Sequence, residues 1–288
     1  MLLSIVIPTY NSEKYIEKSL QSIFSQDIKD CEVITVDNGS DDGTAETIEN
    51  IFSSVILIKE KENKGASYAR NRGLDEAKGK WIMFMDCDVE LEAGFIKTLK
   101  NIIANNPSIP AIAPEIIDIN TSKIMSCGLY ISLIGRVYDV NKGKDPSCCK
   151  VKRIHGPSTC CGIVQRKYLE KIKDRNYFDE DFFFLFEDAD MAWKMKRKRY
   201  RCYVFPELVC YHKGNSSNTT PDMRRFLCVR NRFYMIFNNC RGWRLFLFFL
   251  ISFVYDIPRT LHFFLTSRYR MELLKGLQQK YRDSGGKI

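Results

Sequence analysis

The chain has 288 residues, of which 45% are hydrophobic and 27% charged, as in an average soluble globular protein, so a disordered, collagen-like or coiled-coil chain is excluded. The net charge of +9 is unevenly distributed, because residues 1–150 carry 17 basic against 22 acidic side chains whereas residues 221–288 carry 13 against 4. The basic C-terminal end therefore predicts a local anionic partner.

Residues 1–115 alternate short apolar runs with helical patterns, which predicts a parallel sheet covered by helices on both faces. The predicted strands are 2–7, 33–36, 55–58, 81–85 and 111–113. The predicted helices are one capped by Asn11 or Ser12 and ending near Phe24, and those at 44–52, 65–77 and 92–104. A doubly wound sheet of this kind binds its ligand at the carboxyl ends of the strands.

Three of these strands end in polar segments, at 8–11, 37–40 and 86–88, and one crevice can gather all three. Asp86 and Asp88 lie two residues apart, so both carboxylates can point to the same side just beyond a buried strand. Two such acids repel each other unless a cation lies between them, which predicts Mg²⁺ or Mn²⁺ shared with substrate phosphates. No GxGxxG or GxxxxGK[ST] motif occurs, which argues against a dinucleotide-dependent dehydrogenase and against a P-loop ATPase.

The remainder of the chain is less periodic up to an acidic pair, Glu187-Asp188, which begins a helix predicted to reach Arg199. Two strands are predicted at 202–205 and 208–211, ending at His212. The aromatic, arginine-rich tail at 221–288 is predicted to be helical.

The uncharged run 245–255 is too short to span a membrane, and Asp256, Pro258 and Arg259 are expected to interrupt the apolar pattern beyond it. We expect the tail to lie on an anionic membrane surface, or else to pack on the catalytic domain or on a partner in a homodimer. No nucleic-acid recognition module is visible.

Five motifs, SIVIPTYN, VDNGSDDGT, NKGASYARNRGL, FMDCDVEL and FFFLFEDADMAWKM, resemble those of family 2 glycosyltransferases, which have the GT-A fold. The last motif, with VCYHKG downstream, is most similar to the rhamnosyltransferase-like branch. The resemblance implies a catalytic domain at 1–215, with a nucleotide-binding half at 1–115 and an acceptor half at 116–215, followed by the tail at 221–288.

The resemblance also implies the chemistry. Family members are inverting enzymes that move a sugar from a nucleotide-diphosphate donor to a hydroxyl of a saccharide acceptor, which is often lipid-linked. For this chain the resemblance implies a dTDP- or UDP-sugar as donor, with rhamnose as the first candidate sugar. The implied contacts to the donor nucleotide are Pro8, Thr9, Tyr10, Asp37, Arg70 and Asp86. Asp88 and His212 would be the metal ligands and Asp188 the catalytic base, with Glu187 the second candidate for that role.

Other interpretations of these residues remain open. Asp37 with Ser40 can form an Asx-type turn, and Arg70 can be a solvated helix charge. A nucleotidyltransferase on a related fold and a non-catalytic membrane-associated scaffold are the alternative functions. Eleven cysteines, an odd number without a CxxC pair, and an N-terminus without a basic signal segment predict reduced thiols and a cytoplasmic location, peripheral to the membrane.

Overall fold

The structure is a computed structural model that describes residues 2–214, 219–240 and 242–283. Its strands are β1 Leu3–Thr9, β2 Cys31–Asp37, β3 Ile56–Lys59, β4 Trp81–Met85, β5 Val89–Leu91, β6 Ala111–Asp118, β7 Ile124–Ser126, β8 Leu129–Ile131, β9 Val137–Asp139, β10 Lys152–Ile154, β11 Cys161–Gln165 and β12 Cys202–His212. Its α-helices are α1 Glu13–Phe24, α2 Thr44–Ile51, α3 Ala66–Glu76, α4 Phe95–Asn105, α5 Arg166–Ile172, α6 Glu187–Arg197, α7 Pro221–Asn239, α8 Trp243–Thr266 and α9 Arg270–Asp283.

The central sheet has the order β10-β12-β6-β11-β4-β1-β2-β3. β3, β2, β1 and β4 are parallel, as are β6 and β12, whereas β11 runs antiparallel to both β4 and β6. This mixed α/β sheet with a mainly parallel half has the predicted GT-A architecture. The parallel pairing brings the carboxyl ends of β1, β2 and β4 to one edge.

Both faces of the sheet are buried, each in its own apolar cluster. Successive side chains of a strand point to opposite sides, so one strand contributes to both clusters. Along β1, Ile5 and Ile7 join one apolar cluster with α1, α2 and α4, whereas Val6 joins a second cluster on the other face. Four of the five strands predicted in residues 1–115 lie within two residues of their predicted limits, and the fifth, β6, extends further.

Several predicted boundaries differ from the structure. The two strands predicted at 202–205 and 208–211 form one strand, β12, whose pairing with β6 shifts register between Val204 and Val209, around Pro206. The strand predicted at 111–113 continues to Asp118, because pairing with β7 and β12 extends it. The helix predicted from residue 92 begins at Phe95, because β5 ends at Leu91 and a turn in which Gly94 has a φ of 84° follows it.

The Ser12 side chain does not cap α1 as predicted. Ser12 occupies the N-cap position, but its hydroxyl donates to the Tyr10 carbonyl at 3.1 Å and makes no hydrogen bond to the helix. Asn11 has a φ of 50°, which turns the chain from β1 into the helix.

The prediction that residues 256–259 interrupt the apolar run of the tail was wrong. α8 is a single helix of 24 residues, and it continues through Pro258 to Thr266. Asp256 is buried, and its Oδ2 accepts a hydrogen bond from Arg232 Nη2 at 2.9 Å. Arg232 Nη1 also donates to the Gly135 carbonyl at 2.9 Å, so the one acidic side chain of α8 is neutralised inside the protein.

The helical tail has one packed side and one exposed side. α7 packs against α6, α8 and α9, and Met235 and Ile236 of α7 are fully buried. The exposed side of α8 is apolar, with Trp243, Phe246, Leu247, Leu250, Ile251, Phe253, Val254, Ile257, Leu261 and Leu265 all exposed.

Replacing Arg232 with Met is expected to lower the free energy of unfolding by about 3–5 kcal/mol, because the Asp256 charge would stay buried without its partner. Urea unfolding measures the loss. The double variant Arg232→Met/Asp256→Leu should recover part of it, since no buried charge remains. A double variant as unstable as the two single losses added together would contradict this account of the pair.

Candidate active site

A cavity of about 670 Å³ opens at the carboxyl edge of the sheet. Nine of the ten site residues predicted from the sequence line this one cavity: Pro8, Thr9, Tyr10, Arg70, Asp86, Asp88, Glu187, Asp188 and His212. The ends of β1, β4 and β12 and the start of α6 therefore meet around a common space.

Asp37 is the predicted residue that is not among the described residues lining the cavity. It is buried, its Oδ1 accepts a hydrogen bond from Ser40 Oγ, and Ser40 N lies 3.4 Å from its Oδ2. This is the Asx-type turn that the sequence left open. The neighbouring Asn38 lines the cavity instead and braces its rim, since Asn38 Nδ2 donates to the Gly65 carbonyl at 3.1 Å.

Arg70 connects the two acidic motifs. It is 3% exposed, and its Nη2 lies 2.6 Å from Asp86 Oδ1 while its Nη1 lies 2.8 Å from Glu187 Oε1. Burial alone would lower the pKa of Arg70, but the charges of Asp86 and then Glu187 outweigh it and raise that pKa. The guanidinium is thus a fixed cation between β4 and α6, and not a solvated helix charge.

Asp188 is the half-buried acid beside this pair. Its Oδ2 accepts a hydrogen bond from Ser158 Oγ at 2.9 Å. Burial first, and then the neighbouring charge of Glu187, raise the pKa of Asp188 to about 7. A carboxylate with this pKa can take up a proton near neutral pH, which suits a general base. Ser158 was missed by the sequence analysis, because it lies in a loop without periodicity.

Asp88 and His212 face each other from the residue before β5 and the last residue of β12. His212 Nε2 lies 3.0 Å from Asp88 Oδ1. Burial would lower the pKa of His212, but the hydrogen bond and charge of Asp88 outweigh it, so that pKa is raised.

The Asp88 carboxylate is the ligand type that suits Mn²⁺ or Mg²⁺, and the imidazole of His212, a common metal ligand, lies close enough to share the same cation. The nearby Cys160 Sγ lies 3.2 Å from His212 Nδ1, and burial raises the pKa of its thiol, so the thiol stays protonated. Asp88 and His212 therefore fit a hard divalent cation.

The segment that leads into the acidic pair has a strained backbone. Phe183, Leu185 and Phe186 have φ angles of 61°, 69° and 74°. Each such residue costs of order 1–3 kcal/mol and persists only when surrounding contacts hold it. Residues 183–186 all line the cavity, so the strain lies at the site itself.

The far end of the cavity is formed by the helical tail, which the sequence analysis assigned only to packing or to membrane binding. The tail residues that line it are Met223, Arg224, Leu227, Arg268 and Tyr269, together with Thr219 and Thr220 just before the tail. The start of α7 and the connection between α8 and α9 are thus part of the site.

The sequence of residues 4–173, more than half of the chain, matches the model of the family described as Glycosyl transferase family 2. The chain belongs to this family. The resemblance predicted from the five motifs is confirmed at the level of the family.

This family 2 glycosyltransferase is similar in sequence to several other glycosyltransferases. Over 101 residues it is 37% identical to the GalNAc(5)-diNAcBac-PP-undecaprenol beta-1,3-glucosyltransferase of Campylobacter jejuni, a match that covers 34% of this chain and 33% of that protein. Other curated relatives of 35–39% identity are likewise matched over between 14% and 36% of their length.

Solved structures share the fold of this family 2 glycosyltransferase. TarS 1-349 of S. aureus, in complex with UDP-GlcNAc, is 21% identical with a TM-score of 0.59, covering 99% of this chain and 80% of that one. GalNAc-T7, solved with UDP, GalNAc and Mn²⁺, is 12% identical with a TM-score of 0.63, covering 99% of this chain and 54% of that one. At these identities the likeness establishes the GT-A fold alone.

Proposed function

We propose that the chain is an inverting, metal-dependent glycosyltransferase that moves a sugar from a nucleotide-diphosphate donor to a hydroxyl of a saccharide acceptor. The observation that carries this is the position of Asp188, a carboxylate with a pKa of about 7, on the same cavity as the Asp88–His212 pair. Both halves of the reaction, activation of the acceptor and release of the diphosphate, can then occur in one space.

In the proposed reaction Asp188 takes the proton of the acceptor hydroxyl as its oxygen bonds to the anomeric carbon. The bond from that carbon to the diphosphate breaks on the opposite face, and the nucleoside diphosphate leaves with the electron pair. Ser158 Oγ, which donates to Asp188 Oδ2, orients the carboxylate. Asp88 and His212 would hold Mn²⁺ or Mg²⁺, which would stabilise charge on the leaving diphosphate.

Glu187 is less suited to the role of base, because its carboxylate is 6% exposed and paired with Arg70. We propose that it holds Arg70 in place and raises the pKa of Asp188 by its charge. Pro8, Thr9, Tyr10 and Asp86 would contact the donor, and Asp37 would act indirectly through the turn that positions this edge.

A UDP- or dTDP-sugar is the proposed donor, as the resemblance to the rhamnosyltransferase-like branch implies. UDP-GlcNAc in the TarS complex supports the nucleotide class. The acceptor is proposed to be lipid-linked, because the C. jejuni relative is named for a PP-undecaprenol substrate and because Arg224 and Arg268 line the tail end of the cavity. Cell-surface glycan synthesis would use such an acceptor.

The tail is proposed to bind an anionic membrane at the cytoplasmic face. Among the described residues, one helical stretch, Leu245–Thr266 of α8, is long and apolar enough to cross a membrane, and 22% of its apolar window is buried. Its acid is paired inside the protein, so its outer side presents apolar residues to a lipid surface. A second copy of the chain is the alternative partner of this surface. Co-sedimentation with phosphatidylglycerol vesicles would indicate the membrane, whereas a dimer in sedimentation velocity would indicate the second copy.

The proposed activity is tested by incubating the protein with a panel of UDP- and dTDP-sugars and measuring nucleoside diphosphate release with Mn²⁺ or with EDTA. We expect release with at least one donor in Mn²⁺ and its loss in EDTA. Release of pyrophosphate from UTP or dTTP in the presence of a sugar 1-phosphate would indicate a nucleotidyltransferase instead. No release from any of these substrates would favour a non-catalytic scaffold.

The rate of transfer is expected to fall as the pH drops through about 7, because protonated Asp188 cannot accept the acceptor proton. In Glu187→Gln the acid limb of kcat should move to lower pH, since the charge that raises the pKa of Asp188 is gone. A pH profile of kcat measures both. An acid limb that is unchanged in this variant would contradict the coupling of the two carboxylates.

A further inference from the structure

The segment of residues 182–186 enters α6 through an unusual backbone path. Three of its residues have positive φ angles, and Phe184 N donates to the Phe182 carbonyl at 2.6 Å, which closes a very tight turn. Glu187 and Asp188 come directly after it. Since side chains other than glycine rarely adopt this backbone, contacts from other elements must hold the segment.

Those contacts come from α7, about 45 residues further along the chain. Asn231 is fully buried, and its Nδ2 lies 2.9 Å from the Phe182 carbonyl oxygen and 2.8 Å from those of Phe184 and Leu185. The neighbouring Arg230 donates to the Phe182 carbonyl through Nη2 at 3.0 Å. The side-chain NH₂ group of Asn231 is thus the shared hydrogen-bond donor to three carbonyls of the strained segment.

The opposite side of the segment is held by α3. The Phe183 carbonyl accepts a hydrogen bond from Ala66 N at 2.6 Å. A side chain at Gly65 would meet this same carbonyl at 2.4 Å, so the two segments are in close contact. The segment is therefore fixed between the first turn of α3, at the donor end of the cavity, and Asn231.

We propose that Asn231 is a positioning residue for the catalytic base: by fixing the carbonyls of residues 182–185 it fixes where Asp188 points into the cavity. The inference rests on the proposed function for the meaning of Asp188. The contact between Asn231 and the segment does not depend on the proposed function, and it can be measured without any activity. Asn231 is not among the described residues that line the cavity, and it acts through the backbone.

The groups around Asp188 make its position measurable. Ser158 Oγ donates to it, the Glu187 and Asp139 carboxylates raise its pKa through their charges, and the Arg70 cation lowers it. Burial is the largest contribution. A segment that moves away from α7 would admit water to Asp188 and bring its pKa down.

The test compares Asn231→Ala and Asn231→Asp with Asn239→Ala. Asn239 is a second buried asparagine of α7, and its Nδ2 donates to Asp190 Oδ1 of α6 at 2.7 Å without contacting the strained segment. It is thus a matched control for lost stability. The readouts are kcat, the acid limb of its pH profile, the donor dissociation constant by calorimetry, and hydrogen–deuterium exchange of residues 182–190.

Both Asn231 variants are expected to lose about 10²-fold in kcat, as for a misplaced catalytic group, and to move the acid limb to lower pH. Faster exchange should be confined to 182–190. Asn239→Ala should lose thermal stability but keep the acid limb of the wild type. Asn231→Asp keeps the volume of the side chain, so a loss in this variant cannot be attributed to a cavity. The loss would come from replacing the donor with a carboxylate that repels the three carbonyls.

An unchanged acid limb and unchanged exchange at 182–190 in the Asn231 variants would overturn the proposal, as would the same shift in Asn239→Ala. A wild-type protein that transfers no sugar would refute the proposed function separately. In that case local exchange at 182–190 would still decide whether Asn231 holds the segment.

Discussion

Replacing Asp188 with Asn is expected to lower kcat by about 10²–10⁴-fold and to leave the dissociation constant of the donor unchanged. The amide has the shape of the carboxylate and can still accept the hydrogen bond from Ser158, but it cannot take up the acceptor proton. Single-turnover transfer gives the rate, and calorimetry with the donor in Mn²⁺ gives the binding.

The matched control for this variant is Asp190→Asn. Asp190 is a buried acid on the same helix, paired with Lys194 at 3.0 Å, and it is not among the described residues lining the cavity. If Asp190→Asn loses as much kcat as Asp188→Asn, the effect comes from the helix and not from a base. Turnover close to that of the wild type in Asp188→Asn would remove the assignment altogether.

The parts of the site that the sequence predicts are those encoded by local patterns. Asp86 and Asp88 come after an unbroken apolar strand, so their place at the sheet edge depends only on β4 being buried and parallel to β1. The same holds for residues 8–10 at the end of β1. Because parallel strands align their carboxyl ends, three local patterns are enough to predict one crevice.

The parts that the sequence does not predict depend on contacts between distant residues. Arg70 meets Glu187 across 117 positions, and Asn231 meets Phe182 across 49. No periodicity within α7 distinguishes a buried asparagine from the solvated polar side chains near it. The pairing of Arg232 with Asp256 was missed for the same reason, and with it the continuity of α8 through its only acid.

Sequence motifs alone predict that Asp37 contacts the donor directly, whereas we propose that it acts through its turn. Its carboxylate forms the turn with Ser40, whereas the adjacent Asn38 faces the cavity. A strand end alternates the direction of its side chains, so a one-residue difference decides which of the two faces the ligand.

Replacing Asp88 with Ala is expected to weaken donor binding in Mn²⁺ by roughly 100-fold or more, beyond the loss typical of groups that only support a metal ligand. His212→Ala should behave alike, because the two side chains lie 3.0 Å apart and would share the cation. Calorimetry with the donor measures the loss, and electron paramagnetic resonance of Mn²⁺ measures ion binding without any turnover.

The control for this pair is Glu90→Ala, which removes an acid two residues from Asp88 that is not among the described residues lining the cavity. It should keep the donor affinity of the wild type, so a general loss of negative charge is separated from the loss of a ligand. In EDTA Asp88→Ala should bind the donor at least as tightly as the wild type, since without a cation the Asp88 carboxylate only repels the diphosphate. If Asp88→Ala keeps the gain in affinity that Mn²⁺ gives, the ion is held elsewhere.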